Sequence, residues 1–341
     1  MGADPETIAL TRNTSESLQI VQMGLPLERG DEIVSTTQDY PRMITAWRQR
    51  ERRDGIVLKL VSFPVPPPSL DVLYDRVFSA VTPKTRVIHI CHMTYTTGQI
   101  FPVKRICDEA RRRGILTIVD GGHTFAQFPF TRDDLGCDFY GTSLHKWLCA
   151  PKGAAFLHVR EDRQKDIRPL VISNGANSLR TDRSRFQIEF GWMGTSDPSA
   201  ALCVPKSIEF VRSLRPGGWD EVMNHNRDLA LAARRTLCAA LDVPPPCPDE
   251  FIGALASVPL PDARDSAPSK SPLYLDALQD ELLAKFQIEV PADFPVEGFG
   301  GQKINYVVTL KEIKVRVLPE LNDAFAESLA PGNTLEGLRG L

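Results

Sequence analysis

Ile115-Leu116-Thr117-Ile118-Val119-Asp120-Gly121-Gly122-His123 decides how this chain is read. A short apolar run with Gly114 before it and a glycine pair after it has the length and bounds of a buried strand. Upstream, Pro102 followed by Val103, Ile106, Cys107 and Ala110 has helical spacing, with proline at its start and Gly114 at its close. Helix then strand, repeated along the chain, is the pattern of an α/β layer fold. In open α/β sheets ligands bind just past the carboxyl ends of the strands, which is where Asp120 falls. A buried carboxylate there calls for a cationic partner, although capping the next helix is an equally common use of aspartate.

A second apolar run, Val87-Ile88-His89-Ile90-Cys91, leads into His92-Met93-Thr94-Tyr95-Thr96-Thr97-Gly98. His92 therefore also lies at a strand's end, where its ring can stack on a flat cofactor, whereas His89 sits inside the run as a core histidine. Near the start, Leu10-Thr11-Arg12-Asn13-Thr14-Ser15-Glu16 opens a helix with Leu18, Val21 and Leu25 on one face. The Thr/Ser cluster offers amides and hydroxyls to a phosphate, or simply an N-cap.

Thr142-Ser143-Leu144-His145-Lys146-Trp147-Leu148-Cys149 places one lysine behind a hydroxyl and an imidazole. A Schiff-base lysine needs a dry pocket and an anchored aldehyde, and Ser143 and His145 supply donors for a phosphate beside it. That is the layout of a pyridoxal phosphate site. An ordinary surface lysine is the other reading of this run taken alone.

Together, in this order, the motifs resemble the class V aminotransferase family of fold-type I pyridoxal phosphate enzymes, particularly proteins called isopenicillin N epimerase-like, from about Gly2 to about Val290. The resemblance implies that Asn13, Thr14 and Ser15 hold the phosphate and that His92, six residues before Gly98, stacks on the ring. It implies that Asp120 pairs with the pyridine nitrogen, that His123 contacts the ring hydroxyl, that Ser143 and His145 bind phosphate, and that Lys146 forms the Schiff base. The Trp192–Ser199 stretch looks like the family's Gly-Thr turn, whose threonine, here Thr195, reaches the phosphate of a neighbouring subunit, which implies a homodimer. The implied fold is a large domain over 1–200, with a mostly parallel seven-stranded sheet flanked by helices, and an incomplete α+β small domain over 201–291.

Both ends depart from the family. Members carry roughly several dozen residues before the stretch matching Gly2-Ala3-Asp4-Pro5, so an N-terminal truncation is expected. After Val290 the family's Arg-Ile-Ser run, whose arginine grips the substrate carboxylate, does not follow; Arg316 lies in a Val-Arg-Val-Leu-Pro-Glu context and inherits no such role. Residues 292–341 instead resemble part of trigger factor, a ribosome-associated chaperone. Within them, 306–317 alternates as a strand does, either joining the small-domain sheet or standing as a hairpin, and Pro331 to Leu341 is expected to be poorly ordered.

The chain has 341 residues, enough for one large and one small domain, and its net charge of −3 argues against a nucleic-acid surface. Seven cysteines at irregular spacing with no CxxC pair suggest reduced thiols in a cytoplasmic protein. No signal-like or membrane-length apolar run is present. The expected activity is on the α-carbon of an amino acid through an external aldimine with pyridoxal 5'-phosphate: an epimerase or C–S lyase. The alternatives are a cysteine desulfurase, or a truncated chimeric chain that binds cofactor with little catalysis. Desulfurases need a nucleophilic cysteine on a mobile loop; Cys149 is nearest the lysine and reads as a packed small residue.

Overall fold

A computed structural model describes residues 2–65 and 67–260, positions 282 and 285, and the strand residues 307–309. Seven strands form one sheet: β1 (Ile8–Thr11), β2 (Glu32–Thr36), β3 (Val57–Val61), β4 (Thr85–Cys91), β5 (Leu116–Asp120), β6 (Phe139–Ser143) and β7 (Ala155–Val159). Their order is β1-β7-β6-β5-β4-β2-β3. From β6 to β3 every pairing is parallel, while β7 runs antiparallel to both β6 and β1. This is the expected α/β class with a mostly parallel sheet.

The strands are buried on both sides because neighbouring residues on each strand serve opposite faces. Val34, Ile88, Val119, Tyr140 and Phe156 pack with α3 (Leu70–Ser79), α4 (Val103–Arg112) and α5 (Arg132–Leu135). Ile33, Val87, Ile118, Phe139 and Leu157 pack with α1 (Thr14–Gly24), α2 (Pro41–Asp54) and α6 (Arg185–Gly191). Each aliphatic side chain fully buried in these layers contributes roughly 1.5–3 kcal/mol.

The parallel strands β2, β4, β5 and β6 end together, at Thr36, Cys91, Asp120 and Ser143, and that edge carries the chemistry. The strand expected at Ile115–Val119 is shifted by one, because Ile115 N–H still bonds Ala110 O at the close of α4. The shift makes Asp120 the last strand residue. Gly114 has φ +70°, the left-handed geometry its closing role requires.

Beyond the sheet, the stretch between Pro198 and Leu241 forms three helices, α7 (Ser199–Leu202), α8 (Val204–Ser213) and α9 (Gly218–Leu241). Pro205 in the first turn of α8 has no N–H, which ends α7 and starts α8 without a loop. Strand β8 (Ser257–Pro259) pairs antiparallel with β9 (Val307–Thr309), so part of the expected tail strand joins a two-stranded sheet. Residues 261–281, 283–284, 286–306 and 310–341, with Arg316 and Pro331 to Leu341 among them, lie outside the described residues.

Gly98 shows how tightly the loop after β4 is seated. Its φ is +72°, and a Cβ there would overlap the carbonyl of Leu255. Gly98→Ala is expected to lower stability by about 3 kcal/mol, from strain plus the clash. Chemical unfolding of the purified variant checks it; an unchanged midpoint would show that the loop is free to move.

Candidate active site

Asp120, at the end of β5, is buried at 8 % exposure, and its Oδ1 accepts a hydrogen bond from Gly122 N–H at 2.8 Å. Burial raises its pKa above the usual carboxylate value; the Gly122 amide and the Lys146 charge oppose the rise without cancelling it. Its protein partners thus leave the charge incompletely balanced.

Lys146 sits in the turn after β6, held by Leu144 N–H to Ala154 O and Cys149 N–H to Lys146 O. Its Nζ lies 3.0 Å from His123 Nε2. Thr14, the first residue of α1, comes from the far end of the sequence. Its N–H donates to Ser143 Oγ at 3.1 Å and its Oγ1 lies 2.6 Å from the same oxygen. Gly122 shows how close these groups come. A Cβ built on it would stand 3.0 Å from Asp120 Oδ1, 3.2 Å from Thr14 Oγ1 and 3.4 Å from Lys146 Nζ. Any side chain at position 122 would fill that space.

This donor set fits the cofactor expected from the sequence. An amine can take an aldehyde, a buried carboxylate with incomplete compensation suits a protonated ring nitrogen, and two hydroxyls at a helix N-terminus suit a phosphate. The structure brings together Thr14, Asp120, His123, Ser143 and Lys146.

Other expected residues are placed differently. Asn13 Oδ1 accepts from Glu16 N–H at 2.8 Å, so this side chain is the α1 N-cap. Ser15 is half-buried in the first turn of the same helix. His145 is half-buried, with Nδ1 3.1 Å from Ala154 O. A carbonyl only accepts, so Nδ1 carries the hydrogen; burial lowers the ring's pKa, and the neutral ring is left with an acceptor at Nε2. In that arrangement His145 can donate to a phosphate only when protonated.

His92, expected to stack on a flat cofactor, makes edge contacts with Phe130, Phe128 and Tyr140 at centroid distances of 5.0, 5.3 and 6.3 Å. Its Nδ1 is buried without a partner, and burial lowers its pKa to about 3. Cys149, expected to be packed, is exposed with φ +59°. Thr195 is exposed in the turn after α6. Lys146 is exposed too, so the dry surroundings expected for it are not supplied by the described residues of one chain.

Asp39, three residues past β2, was passed over in the sequence. Only 2 % exposed, it accepts through Oδ2 from Thr36 N–H, Thr36 Oγ1 and Ser35 Oγ at 2.8, 2.7 and 3.0 Å. The one sequence signal was an aspartate just beyond a strand end, which reads as an ordinary turn.

With this geometry in place, the family is decided by its sequence model. The model described as aminotransferase class-V matches residues 1–243. The chain belongs to the class V aminotransferase family. This is a family of pyridoxal phosphate enzymes. The isopenicillin N epimerase of Amycolatopsis lactamdurans is 34 % identical over 309 residues, covering 85 % of this chain and 74 % of that relative. A putative L-cysteine desulfhydrase of Oryza sativa subsp. japonica is 27 % identical over 369 residues, covering 98 % of this chain and 75 % of the relative. Among solved structures, a C-DES mutant with glycine covalently linked to its PLP cofactor aligns with TM-score 0.66 at 23 % identity, over 85 % of this chain and 74 % of that one. At that identity the structural likeness establishes the fold.

Proposed function

We propose that this class V enzyme labilises the α-hydrogen of a free amino acid, ending in epimerisation or in release of a sulfur substituent from the β-carbon. The observation that supports this reading most directly is the meeting of Lys146 Nζ, Asp120 Oδ1 and Thr14 Oγ1 around Gly122. Pyridoxal phosphate, when bound, supplies an electron sink for charge released at the substrate's α-carbon. Lys146 would hold the aldehyde, and its amine would serve as the base for the α-hydrogen. Asp120 would keep a proton on the ring nitrogen, and His123, 3.0 Å from Lys146 Nζ, would supply the contact to the ring hydroxyl. Thr14, Ser15, Ser143 and the amides opening α1 would hold the phosphate, with His145 joining as a donor when protonated.

Return of the proton to the other face of the α-carbon gives the epimer. Departure of a β-sulfur gives the lyase product. The relatives named an epimerase and a desulfhydrase support both outcomes over simple transamination. A desulfurase is the second reading, favoured by the exposed thiol of Cys149, but its N–H is tied to Lys146 O in a tight turn. The test is an amino-acid panel in deuterium oxide, following loss of the α-proton signal with and without added pyridoxal phosphate. Cofactor-dependent exchange is expected; a coloured protein that exchanges nothing would instead support the chimeric chain that binds cofactor without catalysis.

Exposure of Lys146 on the single chain, together with exposed Thr195, leads to a proposed homodimer in which Thr195 closes the partner's phosphate site. Sedimentation of the holo-protein is expected to give twice the chain mass. An active monomer would refute the arrangement.

A further inference from the structure

The strands β2, β4 and β5 lie side by side, and a titratable group stands at or just past the end of each: Asp39, Cys91 and Asp120. Cys91 and Asp120 are register partners. Asp39 spends one oxygen on the turn after β2, where Oδ2 takes three hydrogen bonds. The other oxygen, Oδ1, is buried with no partner. Anchoring the turn needs only the first oxygen, and the carbonyl of an asparagine would serve it. On that side the carboxyl meets only the Cys91 thiol, a weak donor, and no cation, so its burial is incompletely compensated.

What Asp39 has nearby is a second carboxyl. Burial first, and the charge of Asp120 in addition, lift Asp39 to about 6. Burial, then the charges of Asp39 and Asp120 and a hydrogen bond donated to Asp39, push the Cys91 thiol far above its usual range, so it stays neutral and links the two carboxyls. Two like groups at one strand edge are stable together when a cation is shared, and a protonated ring nitrogen at Asp120 would be that cation.

We propose that Asp39 is a positioning residue for the cofactor: it acts from behind Asp120, without touching the cofactor, and strengthens the site's preference for a ring that carries a protonated nitrogen. The inference rests on the reading of Lys146 and Asp120 given above.

The test compares two aldehydes on the full chain: pyridoxal 5'-phosphate and 1-deazapyridoxal 5'-phosphate, which keeps aldehyde, hydroxyl and phosphate but has carbon in place of the ring nitrogen. Dissociation constants are read from the visible band, and borohydride trapping with peptide mapping confirms attachment at Lys146. The parental protein is expected to prefer the nitrogen-containing aldehyde. Asp39→Asn is expected to lose roughly tenfold of that preference, the equivalent of one pKa unit, with affinity for the deaza analogue unchanged. Equal weakening for both aldehydes would mean a purely structural Asp39, and an undiminished preference would mean no action on the ring nitrogen; either overturns the proposal. Should Asp39→Asn fail to fold, Thr36→Val removes one Oδ2 donor and makes the carboxyl harder to ionise. It is expected to lower the preference in the same direction by a smaller factor, and no change would overturn the proposal. If the parental protein traps neither aldehyde on Lys146, the underlying site reading fails and this inference with it. That outcome is distinct from a trapped aldehyde with unchanged preference.

Discussion

Lys146→Ala is expected to lower cofactor-dependent α-proton exchange by roughly 10²–10⁴-fold, the range over which a positioned general base acts. The side chain is exposed, so its removal leaves no cavity, and stability should change by no more than about 0.5 kcal/mol. What is lost is a nucleophile for the aldehyde and a base beside Asp120, His123 and Thr14. Borohydride treatment of the parental holo-protein, followed by peptide mapping, should put the pyridoxyl mass on Lys146. Lys152, also exposed and six residues on, is the natural control. The mass appearing on Lys152, or parental exchange in Lys146→Ala, would sink the assignment.

How much of this was legible in the chain depends on the range over which each signal acts. Asp120 was readable because a buried strand announces itself locally, through an apolar run between glycines, and the residue after such a run falls at the sheet's carboxyl edge. Lys146 was readable because its neighbours Ser143 and His145 are sequence neighbours too. The bond between Thr14 and Ser143 joins residues 129 apart, and no local pattern encodes it; only the motif order hinted that the two meet. Gly122 reads as half of a turn-forming pair, and its use as a clearing for three polar groups exists only in three dimensions. The surroundings of His92 are hidden for the same reason. A histidine at a strand end looks available until Phe128, Phe130 and Tyr140, all more than thirty residues downstream, close around it. Cys149 looked like a packing residue in a hydrophobic neighbourhood, yet its left-handed backbone places it on the surface of the lysine turn. Asp39 was invisible because its turn bonds are local and ordinary, while its unusual feature is proximity to a charge on a strand two places away in the sheet.

The second large effect is expected at Asp120. Asp120→Asn keeps the shape and the acceptor for Gly122 N–H but cannot hold a proton on the ring nitrogen by charge. Removing one preorganised electrostatic partner costs about 3–4 kcal/mol at the transition state, or about 10²–10³-fold in exchange rate, while the aldehyde still attaches at Lys146. A stability measurement separates this from damage to the fold. The folded pKa of Asp120 is raised, so the group favours folding while protonated, and that contribution is lost as pH rises from the unfolded carboxylate value through the folded one. Near neutral pH the apo-protein therefore carries an uncompensated cost of a buried charge, and the neutral asparagine relieves it. Asp120→Asn apo-protein is expected to melt no lower than the parent at pH 7, and to show a shallower decline in stability as pH rises above the unfolded carboxylate value, the remaining decline belonging to Asp39 at about 6. A variant that melts lower and exchanges slowly would make Asp120 a structural cap. One that melts the same or higher and still exchanges at the parental rate would mean that the ring nitrogen works unprotonated, and the electrostatic role would have to be given up.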